Sequence, residues 1–112
     1  MANDTHVRRW CAQARWSVLR ARQLRDAGDE VGAAIVLARG ETRRAASELL
    51  RAAQSAGEVS ALMLNAAWRL RQPDASWADP DGSCLRYVRA CTWQDCAHQI
   101  DPALPEVQSR WD

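Results

Sequence analysis

The chain has 112 residues and a formal net charge of +1, which suits one domain with a modest core and provides no global field toward DNA or an anionic membrane. Its basic residues, the two histidines aside, are all arginine, fifteen in number, and six of its seven aromatic residues are Trp. Because Arg and Trp dominate binding hot spots, this composition favours a binding protein over an enzyme.

The first predicted helix covers about residues 5–27. Asp4 or Thr5 is a suitable N-cap, and Gly28 suits the left-handed backbone that often ends a helix. Apolar residues recur at alternating spacings of four and three, which predicts one buried face. That face comprises Val7, Trp10, Cys11, Ala14, Val18, Ala21 and Leu24.

The second predicted helix covers residues 29–56, with Asp29 as its N-cap and Gly57 as its end. Gly40 lies inside it and marks either a bend or a close approach of another helix. Its apolar positions also repeat with a spacing of four and three. They are Val31, Ile35, Ala38, Thr42, Ala45, Leu49, Ala52 and Ala56.

A third helix is predicted over residues 58–72, with Val59, Leu62, Met63, Ala66 and Leu70 on one face. Pro73 ends it, because proline cannot continue a helix. The segment 73–83 is predicted to be a loop, and a type I turn is predicted at residues 79–82.

Ser83 is the predicted N-cap of a fourth helix over residues 83–100, which Asp101 and Pro102 end. Residues 101–112 are predicted to form an extended C-terminal tail. Strand patterns are nearly absent. We therefore predict an all-α fold: a single domain over residues 1–112, built as a three- to four-helix bundle with a long central helical hairpin.

The sequence offers no sign of membrane insertion or export. Arg8 and Arg9 interrupt the N-terminal region where a signal peptide would carry its apolar segment. The longest uncharged apolar stretch, residues 31–38, is far too short to span a bilayer. We expect a cytoplasmic protein of a bacterium or a phage, and in that reducing compartment the four cysteines are expected to be thiols.

The stretch LRARQLRDAGDEVGAAIVLARGETRRAASELL, residues 19–50, resembles the helical hairpins of HEPN-type and tetratricopeptide-like domains. The resemblance implies an αα-hairpin and covers about a third of the chain. Catalytic HEPN ribonucleases carry an Arg followed closely by His. Arg89 and His98 are too far apart for that motif, so the resemblance implies no ribonuclease activity.

Cys84, Cys91, Cys96 and His98 are the candidate metal ligands, with Cys11 near the other end of the chain. No pair of these cysteines has the short spacing of a zinc knuckle, and on one continuous helix the four side chains do not converge. We predict no metal, no cofactor and no catalytic residues. Cys11, Cys84 and Cys91 are instead predicted to be small buried apolar residues, although a disulfide between Cys11 and a C-terminal cysteine stays open.

The candidate partner-binding residues are arginines and tryptophans. Trp16 projects away from the predicted apolar face of the first helix, flanked by arginines that could bind a partner beside its ring. The alternative is that Trp16 covers a neighbouring helix or the tail. Trp68 and Trp93 are predicted to lie in or beside the core. The full candidate set is Arg8, Arg9, Arg15, Trp16, Arg20, Arg22, Trp77 and Trp111.

Three functional hypotheses follow. The first is a small helical interaction protein, acting as an inhibitor, adaptor or regulator of a larger complex. The second is a nucleic-acid-binding protein that uses the first helix, since residues 1–25 contain six Arg and one Asp. The third, which the spacing favours least, is a Cys/His metal or redox protein. A homodimer is compatible with each, because so small a bundle gains stability by pairing.

Overall fold

A computed structural model describes residues 2–53, 55–70 and 80–104 of the chain. These residues form four helices: α1 (Ala2–Asp26), α2 (Glu30–Ala52), α3 (Ala56–Leu70) and α4 (Pro80–Ile100). No strand occurs among them, and the all-α prediction is confirmed. The chain divides into two compact units, one made by Met1–Ala52 and the other by Ala53–Asp112. α1 packs against α2 in the first unit, and α3 packs against α4 in the second.

The turn between α1 and α2 satisfies the backbone at both helix ends. Gly28 has a φ of 86°, and its N–H donates to the Arg25 carbonyl at 3.0 Å while the Asp29 N–H donates to the Leu24 carbonyl at 2.8 Å. Together these bonds form a Schellman motif. The Asp29 carboxylate then accepts from the Gly32 N–H at 2.8 Å and caps α2. The predicted stop at Gly28 and cap at Asp29 are both confirmed.

α1 and α2 run antiparallel and approach closely at Gly40. A Cβ atom built on Gly40 would lie 2.7 Å from the Ser17 Cβ, and farther along the pair the Cys11 thiol donates to the Ser47 hydroxyl at 3.4 Å. Ala33, Gly40 and Ser47 are all buried and are spaced by seven residues. The close approach predicted for Gly40 is confirmed.

The buried face of α1 agrees with the predicted stripe only in part. Trp10, Ala14 and Ala21 are buried as predicted, but Ser17 is buried as well and Val18 is exposed. Ser17 tolerates burial because its hydroxyl donates to the Gln13 carbonyl at 2.8 Å within the same helix.

The buried face of α2 includes Ala38 and Thr42 of the predicted stripe and otherwise departs from it. Val31 was expected in the core, but it is 70% exposed. The buried residues instead lie on the side of α2 that contacts α1 at Gly40. They are Ala33, Ala38, Gly40, Thr42, Ala46, Ser47 and Leu50.

α2 is shorter than predicted, and α3 begins earlier. α2 ends at Ala52, and Gly57, predicted to end it, lies in the first turn of α3. Ser55 is the N-cap of α3, because its hydroxyl accepts from the Glu58 N–H at 3.2 Å. The core of the second unit includes Val59, Met63 and Ala67 from α3.

α4 begins at Pro80, so the type I turn predicted at residues 79–82 is wrong for Pro80, Asp81 and Gly82. Proline is favoured at the first helical position, where a missing N–H removes no helix bond. Ser83 lies inside the helix and is not its N-cap. The predicted end of α4 is confirmed: Ile100 is its last residue, and the Asp101 N–H still donates to the Ala97 carbonyl at 2.9 Å.

Among the described residues, no helix is both long enough and apolar enough to cross a membrane. The predicted tail lies outside the described residues from residue 105 onward. Before that point the Leu104 N–H donates to the Asp101 carbonyl at 3.2 Å, which forms a turn directly after α4.

Candidate partner-binding surface

The exposed side of α1 is determined by its buried side. Since Trp10, Ala14, Ser17 and Ala21 are buried, the residues on the opposite side of the helix extend into solvent. Trp16 is 60% exposed and Leu19 is 58% exposed. These two side chains are three residues apart and are therefore neighbours on the helix surface. They form an apolar strip that we call the Trp16–Leu19 strip.

Arginines flank this strip on both sides. One row follows a seven-residue spacing and the other lies near Trp16 at helical spacing. All five side chains are exposed. The first row is Arg8, Arg15 and Arg22, and the second is Arg9 and Arg20.

The Arg20 side chain has a defined partner on its own helix, since its guanidinium donates to the Gln23 side-chain oxygen at 3.2 Å. A guanidinium carries five N–H donors. A single contact of this kind orients the group along the helix and leaves it able to bind a carboxylate or phosphate.

The sequence left open whether Trp16 covers a neighbouring helix, and its exposure in the structure bears on that alternative. With 60% of its surface exposed, Trp16 does not serve as a cover for α2.

Trp77 and Trp111, the other two candidate tryptophans, lie outside the described residues. Trp68, predicted in or beside the core, is 50% exposed on α3, and that prediction is wrong. Trp93 is half-buried.

The prediction did not include Leu19 or the pocket beside the strip. A pocket of about 210 Å³ lies along the seam between α1 and α2, where Val18 and Leu37 supply apolar walls and Glu41 and Arg44 supply charged groups. Leu19 could have been found from the sequence by its spacing from Trp16. The pocket could not, because it depends on how α2 is rotated against α1.

The charge of α1 is unbalanced. The helix contains six Arg but only Asp4 and Asp26 among acidic residues. Over residues 1–53 there are ten Arg and six acidic residues, a net charge of +4. Because Asp4 and Asp26 lie toward the two ends of α1, the middle of its exposed side presents positive charge alone.

The Cys and His residues do not assemble into a metal centre within the part of the chain that the structure describes, where no group of three such ligands is found. The predicted burial of Cys11 and Cys91 is wrong, because both are half-buried, and Cys96 is the enclosed thiol. The Cys84 side chain lies outside the described part. His98 Nε2 is 3.0 Å from the Leu104 carbonyl oxygen, which ties it to the turn after α4.

His6 and Trp10 form an aromatic pair at the N-terminal end of α1. Their ring centroids are 5.6 Å apart with an interplanar angle of 23°. Trp10 is fully buried, and His6 is half-buried inside the helix. The N-terminal end of α1 therefore contributes a stacked aromatic pair to the structure.

Comparisons with protein-family models, with curated proteins and with solved structures found no match to this chain. The surface described above is therefore interpreted from its own chemistry.

Proposed function

We propose that this chain is a non-enzymatic helical interaction module that binds a larger protein through the exposed side of α1, as an inhibitor, adaptor or regulator. The observation that supports this proposal most directly is the Trp16–Leu19 strip between two arginine rows. An exposed apolar strip with a polar rim is the arrangement of a protein interface. Trp and Arg are also the residues whose removal costs most at interfaces.

The test is capture of binding proteins from a lysate of the source organism, with nuclease added, using matched variants. Trp16→Ala/Leu19→Ala removes the strip. Leu62→Ala/Trp68→Ala removes the same two residue types from α3, where both are also exposed. The proposal expects the first variant to lose at least about 2 kcal/mol of binding, as at hot spots, and the second to bind normally. Equal behaviour of the two variants would remove this surface from consideration.

Nucleic-acid binding is the second candidate, favoured by the position of the Trp16 ring between Arg9 and Arg20. An exposed ring beside guanidinium groups can stack on an unpaired base while the arginines neutralise phosphates. A single-stranded oligonucleotide should then bind with an affinity that falls steeply as salt rises, in proportion to the phosphates contacted. Binding that is weak at low salt would exclude this candidate.

A further inference from the structure

The pocket between α1 and α2 is small. It borders the first arginine row, Arg8, Arg15 and Arg22, which is called the arginine row from here on. Its volume of about 210 Å³ is below the roughly 300–1,000 Å³ of typical small-molecule sites. A single aliphatic or aromatic side chain suits it better, and anchor residues that fill such pockets carry much of the energy of protein interfaces. Val18 and Leu37 supply apolar walls for that side chain.

The pocket is continuous with the exposed side of α1. Val18 lines the pocket and is also exposed. On the helix surface it neighbours Arg15, three residues before it, and Arg22, four residues after it. The arginine row therefore lies between the pocket on one side and the Trp16–Leu19 strip on the other. An occupant that covers the row reaches both apolar areas.

The arginine row also indicates the charge and the form of the occupant. Arg8, Arg15 and Arg22 repeat every seven residues, which corresponds to steps of about 10 Å along the helix. Carboxylates at the same spacing on a second helix would meet each guanidinium, as flanking charges do between paired helices. A nucleic acid would match the charge, but it would leave the apolar pocket without a side chain to fill it.

We propose, building on the proposed function, that this face binds an acidic amphipathic helix of another protein, with one aliphatic or aromatic side chain of that helix seated in the pocket. The carboxylates of the bound helix pair with Arg8, Arg15 and Arg22. Its apolar side chains contact the pocket and the Trp16–Leu19 strip. The recognition is thus a helix laid along a helical hairpin.

The probe is a dye-labelled synthetic helical peptide with Leu at its apolar heptad positions and Glu at the flanking ones. A second peptide carries Lys in place of each Glu. Fluorescence anisotropy measures the dissociation constant of each peptide with the full chain, and circular dichroism verifies that every variant keeps its helicity. The proposal expects the Glu peptide to bind and the Lys peptide to bind at least about tenfold more weakly.

Two pairs of variants test the two parts of the surface. Arg15→Glu/Arg22→Glu should weaken the Glu peptide by at least about tenfold and allow the Lys peptide to bind. Arg39→Glu/Arg69→Glu makes the same charge change at exposed positions elsewhere and should alter binding by less than about twofold. Val18→Trp fills the pocket and should weaken the Glu peptide, whereas Val31→Trp, at an exposed position on the other side of α2, should not.

The proposal is overturned if the Glu peptide does not bind, if the charge-matched control weakens it equally, or if Val18→Trp leaves its affinity unchanged. It is also overturned if a single-stranded oligonucleotide binds this face through Arg15 and Arg22 and the Glu peptide does not. A captured protein that still depends on Trp16 and Leu19 would, in those cases, leave the proposed function standing and reject only the acidic helix as its form.

Discussion

Gly40 of α2 lies directly against Ser17 of α1, and the position of Gly40 has no room for a side chain. A methyl group on Gly40 would come within 2.7 Å of the Ser17 Cβ and 3.0 Å of its Oγ. The Ser17 hydroxyl is already committed to the Gln13 carbonyl. The separation of the two helices in the first unit is therefore set by the smallest side chains at this contact.

Gly40→Ala should destabilise the first unit by about 1–3 kcal/mol, because overpacking at the contact outweighs the gain of about 1 kcal/mol in helix propensity. Hydrogen exchange of the α1 and α2 amides measures the change within this unit. Arg39→Ala, at the exposed neighbouring position, is the control and should change stability by less than about 0.5 kcal/mol. A second substitution, Ser17→Gly, should recover part of the loss; no recovery would contradict the proposed contact.

Glycine is favoured at position 28 because of its backbone conformation and not because a larger side chain would clash with neighbouring atoms. It has a φ of 86°, and a Cβ atom there would meet nothing within 4 Å. Gly28→Ala should therefore cost about 1–2 kcal/mol through left-handed strain alone. Gly28→Asn should cost clearly less, since Asn adopts this conformation more readily. Urea unfolding of the two variants compares them, and equal losses would argue against the Schellman turn.

The turn between α1 and α2 was predictable from the sequence because it depends on local chemistry, whereas the sequence left both a bend and a close helix approach open at Gly40. Gly28 and Asp29 have few alternatives as a helix stop and a helix cap. The buried faces were less predictable, because a hydropathy pattern ranks Val18 above Ser17 and Val31 above Gly40. At the close contact with Gly40 the size of the side chain decides burial, because Ser17 is buried there while the neighbouring Val18 is exposed.

Trp10 and Trp16 should respond in opposite ways to removal, although they are six residues apart on one helix. Trp10 is fully buried and stacked on His6, so Trp10→Ala should cost about 3–5 kcal/mol. Trp16→Ala should change stability by less than about 0.5 kcal/mol, because the side chain is mostly exposed. Thermal unfolding measures both. A large loss from Trp16→Ala would mean that its ring supports the fold.

Ser55 and Glu58 form the sequence pattern of a capping box, S-x-x-E, and this signal would have located the start of α3. Ser55→Ala should cost about 1 kcal/mol, since it removes the acceptor of the Glu58 N–H. Ser55→Asp preserves an acceptor and should restore most of the loss. Exchange rates of the first-turn amides of α3 provide the measurement, and unchanged rates in Ser55→Ala would show that the cap contributes nothing.

The candidate surface was predictable from the sequence only in part, for a physical reason. Exposed arginines and Trp16 can be assigned to a helix face by counting along α1, since a single helix has a fixed period. The pocket requires Val18 from α1 and Leu37 from α2 to face the same space. That relation depends on how the two helices are rotated against each other at Gly40. The periodicity of a single helix carries no information about that rotation.

Cys11 and Cys96 should differ strongly in reactivity toward a maleimide reagent. Cys11 is half-buried, and its thiol lies 3.4 Å from the Ser47 hydroxyl and 3.9 Å from an Arg51 nitrogen, both at the edge of the α1–α2 contact. Cys96 is 1% exposed, so its modification requires local opening of α4. We expect Cys96 to react at least about tenfold more slowly than Cys11 in native protein.

Mass spectrometry of peptides after timed labelling assigns the rate to each cysteine, and Cys11→Ser verifies the assignment of the faster one. In denaturant the two rates should converge, because both thiols are then equally accessible. If Cys96 reacts as fast as Cys11 in native protein, its enclosure in the second unit is transient. The buried surroundings of Cys96 would then open on the timescale of the labelling reaction.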